Sequence, residues 1–138
     1  MTQPPTFQVA SDASVDQAFP RSAVFHWTSS ERGLKLLEVQ GELDDAAVTR
    51  WSGVLRTAIS DGTTGIAVDL RGCPAIGPIC LSALLATSST LKARGGGGVG
   101  LVTYPHSTLD RRLEADAAQG LPTHNSATRA LVSLRETE

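Results

Sequence analysis

The residues of this chain that could do chemistry are few and widely spaced. Cys73 and Cys80 lie on either side of a loop, and Cys80 falls at the expected start of a helix, where the helix dipole favours a thiolate. If the loop bends back, the two sulfurs come together as a redox pair. Against that, no Arg, His or Lys stands beside Cys80, and Ile79 and Leu81 flank it with apolar surface. Two free thiols packed as small hydrophobes is the plainer reading. His26, His106 and His124 are scattered over an expected edge strand and two loops, with no pair at helical metal-ligand spacing. No metal or other cofactor is expected. Asp69 ends an apolar run, at what becomes the carboxyl edge of a sheet, the place where α/β proteins put their sites. Its expected work is structural: to brace the adjacent loop by accepting backbone N–H bonds. Gly95 to Gly98 superficially resembles a phosphate-cradling loop. It runs from helix into strand rather than from strand into helix, and no Gly-Lys-Ser/Thr follows, so it is read as a flexible connection. These residues form no catalytic constellation, and the expectation is a protein that is not an enzyme.

The elements that position them follow from hydrophobic periodicity. Residues 1–20 are polar, proline-bearing and without sustained period, the pattern of a loose tail ahead of one domain over 21–138. Ala23-Val24-Phe25-His26-Trp27 and Leu34 to Gln40, with Ser29 to Gly33 between them, form an expected β-hairpin. Asp44 is a natural N-cap, and Asp45 suits the positive end of the helix dipole. Behind them Ala47, Val48, Trp51, Val54, Leu55, Ala58 and Ile59 recur at three- and four-residue steps as one apolar stripe. Gly65 to Leu70 is nearly all apolar, as a central strand buried on both faces must be. A loop from Arg71 to Pro78 leads to a second helix carrying Leu81, Leu84, Leu85 and Leu91. Val99 to Tyr104 is another strand. Leu109 and Leu113 mark a short helix opened by Ser107 or Thr108, and Leu121 to His124 an edge strand, since Pro122 cannot donate to a ladder. Ala127, Ala130, Leu131 and Leu134 mark the last helix. A hairpin followed by alternating strands and helices predicts an α/β fold with a mixed, mostly parallel sheet and about four helices.

Composition narrows the function classes. The 138 residues are 41% hydrophobic and 19% charged, which suits a folded domain rather than wholesale disorder. A formal net charge of −2 gives no electrostatic footprint for nucleic acid or an anionic membrane. No apolar run approaches the ~20 residues of a membrane helix, and Met1-Thr2-Gln3-Pro4-Pro5 lacks the pattern of a secretory signal. A cytoplasmic protein is the default expectation. Ten of the basic residues are Arg and two are Lys, which hints at a GC-rich bacterial source.

Three segments, in order and spacing, resemble the STAS domain of bacterial anti-sigma-factor antagonists. Gly41-Glu42-Leu43-Asp44 is similar to that family's Gly-Glu-Leu-Asp, Val68-Asp69-Leu70-Arg71-Gly72-Cys73 to its Val-Asp-Leu-Ser-Gly-Val, and Leu81-Ser82-Ala83-Leu84-Leu85 to its Leu-Gly-Ala-Leu-Leu. The resemblance runs from Leu34 to about Leu134. It implies the STAS fold and a regulatory role: binding an anti-sigma factor, often a serine-kinase type, and so freeing a sigma factor for transcription. In the family, phosphorylation of a serine in an Asp-Ser-Ser-Gly or Asp-Ser-Thr-Gly segment breaks that complex, because the phosphate adds nearly two negative charges to a contact surface. Here the aligned segment reads Ile76-Gly77-Pro78-Ile79-Cys80-Leu81, and Pro78 and Ile79 occupy the hydroxyl positions. No phosphorylation is expected there. Pro78 still suits the first position of a helix. The resemblance makes Asp44, Ile76, Gly77, Pro78, Ile79, Cys80 and Leu81 the expected partner contact, an apolar tip completed by Pro74 and Ala75. Ser82, the nearest remaining hydroxyl, is expected to face the preceding loop or a neighbouring element. The alternatives are a thiol-based redox sensor using Cys73 and Cys80, and a scaffold STAS domain in a larger regulatory assembly, with a homodimer left open.

Overall fold

The computed structural model describes residues 23–29, 33–60, 62–115 and 121–136. The expected tail, residues 1–20, lies outside them. Five strands, β1 (Val24–Ser29), β2 (Leu34–Gln40), β3 (Gly65–Gly72), β4 (Gly98–Val102) and β5 (Thr123–His124), form one sheet in chain order. β1 and β2 are the antiparallel hairpin, with Phe25 opposite Val39 and Trp27 opposite Leu37. β2, β3, β4 and β5 run parallel, joined by helices α1 (Val48–Ser60), α2 (Pro78–Ala93) and α3 (Thr108–Ala115), and α4 (Ala127–Glu136) closes the chain.

The period-2 alternation of the strands sorts their side chains between two cores. Leu37, Val39, Ile66, Val68, Leu70, Val99 and Leu101 face one side, where Trp51, Leu55 and Ala58 of α1 and Leu84 and Leu91 of α2 cover them. Leu109 and Leu113 of α3 join that cluster. Leu34, Ala67 and Val102 face the other side, against Ala130 and Leu134 of α4. Residues 65 to 70 of β3 are buried, as its apolar run requires of the middle strand of a covered sheet.

Two details differ from the sequence reading. Asp44 caps a 3-10 turn, Asp45–Ala47, before α1 proper begins: its Oδ1 accepts from the Ala47 N–H at 3.2 Å. The glycine run after α2 is an ordered cap. The Gly96 N–H donates to the Leu91 carbonyl and the Gly95 N–H to the Lys92 carbonyl, each at 2.9 Å, which is the Schellman closure with Gly95 left-handed at φ 87°. Gly96 is pressed so closely against the carbonyl of Thr64 that a Cβ there would overlap its oxygen. The Gly97 N–H then bonds that same carbonyl at 3.0 Å. This pins the end of α2 to the entry of β3, and β4 starts in register from there.

Candidate protein-interaction site

The loop from β3 to α2 is clamped to the connection between β2 and α1. The Leu43 N–H donates to the Ala75 carbonyl at 3.0 Å, and the Gly77 N–H donates back to the Leu43 carbonyl at 2.7 Å. Together they make a one-residue parallel bridge between Leu43 and Ile76. Gly77 is the N-cap of α2 and has no side chain to cap with; a Cβ at 77 would sit 3.2 Å from the Leu43 carbonyl oxygen. Pro78 follows as the first helical residue, where its missing N–H is harmless. From beneath, the Trp51 indole N–H of α1 donates to the Cys80 carbonyl at 3.0 Å. The first turn of α2 is thus held from two directions by residues more than twenty-five positions away in sequence.

This clamp decides which of the expected contact residues reach the surface. Ile79 is 56% exposed, one of four large hydrophobic side chains exposed among the described residues, with Val24, Tyr104 and Val132. Pro74, Ala75, Pro78 and Ser82 are exposed around it, and Gly77 is half-buried. Ile76, Cys80 and Leu81 are not part of that surface as it stands: they are 0%, 1% and 8% exposed and belong to the core. The bridge to Leu43 turns Ile76 inward, and the helical period puts Cys80 and Leu81 on the face under Ile79. Ser82 also departs from expectation, since it points to solvent rather than to the preceding loop. Asp44 is half-buried and engaged as a cap. Beside the apolar tip lies a groove of about 260 Å³ lined by Glu42, Asp44, Asp45, Ile76 and Gly77, with Arg112 at its edge.

Cys73 and Cys80 are both free and buried. Burial pushes both thiols up; Asp44 and Asp45 add to the effect at Cys80, while at Cys73 backbone hydrogen bonds at Leu43 and Ala75 partly oppose it. The Cys73 thiol donates to the Ala75 carbonyl at 3.1 Å, and that of Cys80 contacts the Asp44 carbonyl at 3.7 Å. Every one of these influences except the Cys73 backbone bonds works against a thiolate.

Asp69 braces its loop, as expected. Burial pushes its carboxyl up, yet bonds from the Arg71 side chain and backbone, with the guanidinium charge, outweigh that and hold it below the usual carboxylate range. Arg71 reaches it through Nη2 at 2.7 Å and Nε at 2.9 Å, and its backbone N–H donates at 3.0 Å. His26 is exposed on β1, apart from the others. His106 and His124 are brought to one cleft, with Asp110, at the carboxyl ends of β4 and β5. The sequence held no signal for that meeting, because it depends on β5 returning beside β4. Among the described residues no group of three or more His, Cys, Asp or Glu side chains is placed to hold a metal ion, and no helix is long and apolar enough to cross a membrane.

No protein-family model matches the chain, and no curated protein is similar to it in sequence. Solved structures are similar in fold. An anti-sigma factor antagonist from Mycobacterium paratuberculosis is 20% identical, with a TM-score of 0.71 over 86% of this chain and 98% of that one. SpoIIAA in its unphosphorylated form is 18% identical, with a TM-score of 0.63 over 82% and 98%. The Bacillus cell fate determinant SpoIIAA in its phosphorylated form is 20% identical, with a TM-score of 0.58 over 79% and 97%. The chain has the SpoIIAA-like STAS fold of the anti-sigma factor antagonists.

Proposed function

We propose that this chain is a regulatory protein of the anti-sigma-factor-antagonist kind, binding an anti-sigma factor through the N-terminal turn of α2, without control by serine phosphorylation. The observation that carries the reading is Ile79: a β-branched apolar side chain 56% exposed in the first turn of α2, which is too tightly clamped to tuck it away. Fully burying an isoleucine is worth roughly 1.5–3 kcal/mol, and about half of that remains to be gained when a partner covers it. Glu42 and Asp45, exposed beside it, favour a partner with basic side chains at that edge. The SpoIIAA fold occurs in phosphorylated and unphosphorylated forms in its own protein, whereas Pro78 and Ile79 here carry no hydroxyl to modify. Release of the partner must then come from another input than a phosphate at this turn. The acting unit is residues 21–138, working in the cytoplasm.

The test is affinity capture from native cytosol, with the wild-type chain and Ile79→Asp as paired baits. A histidine-kinase-like ATPase of the anti-sigma type recovered by the wild type and lost by the variant is the expected result. A bait of residues 21–138 recovers the same partner. Equal recovery by both baits moves the interface elsewhere, and recovery of other copies of the chain alone favours a scaffold.

A further inference from the structure

We infer that the cleft at the carboxyl ends of β4 and β5 is a binding site for a small molecule bearing an oxyanion, a carboxylate or a phosphate, with Arg129 as its principal anchor. The cleft has a volume of about 330 Å³ and is lined by Thr103, His106, Asp110, His124, Asn125 and Arg129, among others. That size is at the lower end of ligand pockets, and the carboxyl edge of parallel strands is where α/β folds place them. It is separate from the apolar tip of α2 and independent of the role proposed for it.

The polar groups of the cleft divide into those already committed and those left over. Asp110 is buried and spoken for: its Oδ1 accepts from the Thr103 hydroxyl at 2.8 Å and its Oδ2 from the His106 backbone N–H at 2.9 Å. Its own N–H donates to Ser107 Oγ at 3.0 Å, so the carboxylate is a fixed part of the cap of α3. Thr103 has spent its hydroxyl proton on that bond. His124 forms part of the wall, its Nε2 buried with no hydrogen-bond partner and lying close beside Gly100. Burial, with the charge of Arg129, holds its ring below the usual histidine pKa and so favours the neutral form. What remains on the exposed rim is Arg129, Asn125 and the His106 ring, all able to donate. Arg129 stands in the first turn of α4, whose positive end faces the same region, with Ser126 Oγ accepting the Arg129 N–H at 3.2 Å. A guanidinium fork beside a helix N-terminus favours an anion, held on the rim at Arg129 and away from the charge that Asp110 keeps despite its two bonds.

The test is an NMR titration of the full chain with inorganic phosphate, and separately with acetate, at ionic strength held constant with chloride. The expected result is saturable shifts centred on His124, Asn125 and Arg129 with at least one of the two anions. Arg129→Gln, a substitution of an exposed side chain, weakens that binding about tenfold or more, the worth of a charge-assisted hydrogen bond. Lys92→Gln, which removes the same charge from the far end of the sheet, leaves it unchanged. An anion on Arg129 also removes the positive push on His124, so the His124 titration moves upward on binding; Arg129, Asp110 and His106 are the charged or titratable groups that share the cleft with it. Saturation by phosphate alone identifies a phosphate-bearing ligand, and saturation by both anions any oxyanion. Shifts that never saturate, or equal weakening by Arg129→Gln and Lys92→Gln, overturn the inference.

Discussion

Replacing Trp51 with Phe tests how the candidate site is held in place. The indole is fully buried between α1 and the sheet, stacks at a tilt on Phe25 with 5.6 Å between ring centroids, and donates to the Cys80 carbonyl at 3.0 Å. Trp51→Phe removes that bond, worth about 1 kcal/mol. It also leaves part of the indole volume empty; full truncation of a buried Trp costs roughly 3–5 kcal/mol, and the smaller ring forfeits about 1–2 of this. The variant is expected to lose roughly 2–3 kcal/mol in urea denaturation followed by circular dichroism. At about 4 °C per kcal/mol for a domain of this size, its melting temperature falls by roughly 8–12 °C. Trp27→Phe is the control, because Trp27 is only half-buried on β1 and is expected to lose less. Amide hydrogen exchange in the first turn of α2 should rise in Trp51→Phe beyond the change in global stability. A loss below about 0.5 kcal/mol, or unchanged exchange in that turn, refutes the claim that Trp51 holds the helix start.

Three further outcomes follow from the same structure. Gly96→Ala places a Cβ against the Thr64 carbonyl, and is expected to destabilise by about 2 kcal/mol or more, whereas Gly53→Ala, with open space around it, stabilises or is neutral on thermal melting. Asp69→Asn removes the partner of Arg71; with Arg71 partly exposed, the loss is about 1 kcal/mol at neutral pH. Because the folded carboxyl titrates below the ordinary value of about 3.9, that contribution is present above this pH and fades as pH falls through the folded pKa, so wild type and variant converge in stability once pH is below it. Cys73 and Cys80 are expected to react with iodoacetamide far more slowly in the native chain than in urea, and mild oxidation should yield no bridge between them by mass spectrometry.

Much of the fold was legible because its elements carry strong local periodicity. The stripe from Ala47 to Ile59 has the helical period, and Ile66-Ala67-Val68 has no polar residue to spare for a wet face. The segment around Ile76 was harder. Its side chain is buried because Leu43, thirty-three positions earlier, bridges to it, and no local pattern in 71–78 announces a tertiary bridge. The turn as a whole stands out in the sequence, but its inner and outer residues cannot be sorted there. That bridge turns Ile76 inward, and the helical period that begins at Pro78 leaves Ile79 outside. The glycine run shows the same division. Its place between helix and strand was readable, whereas its order comes from the carbonyl of Thr64, which only the parallel pairing of β3 with β4 brings near. The cleft of His106, Asp110 and His124 was illegible for the like reason: its walls come from separate elements that meet only when β5 lies beside β4.

The most direct test of the central claim is a calorimetric titration of the captured ATPase into the wild-type chain and into Ile79→Asp, each with and without ATP and Mg²⁺. The expected result is wild-type affinity that does not depend on phosphoryl transfer, no phosphopeptide covering residues 77–80, and binding at least about tenfold weaker for the variant, as burying a carboxylate in place of an exposed isoleucine requires. Equal affinities for the two chains, or a wild-type complex that dissociates as phosphate enters this turn, would contradict it.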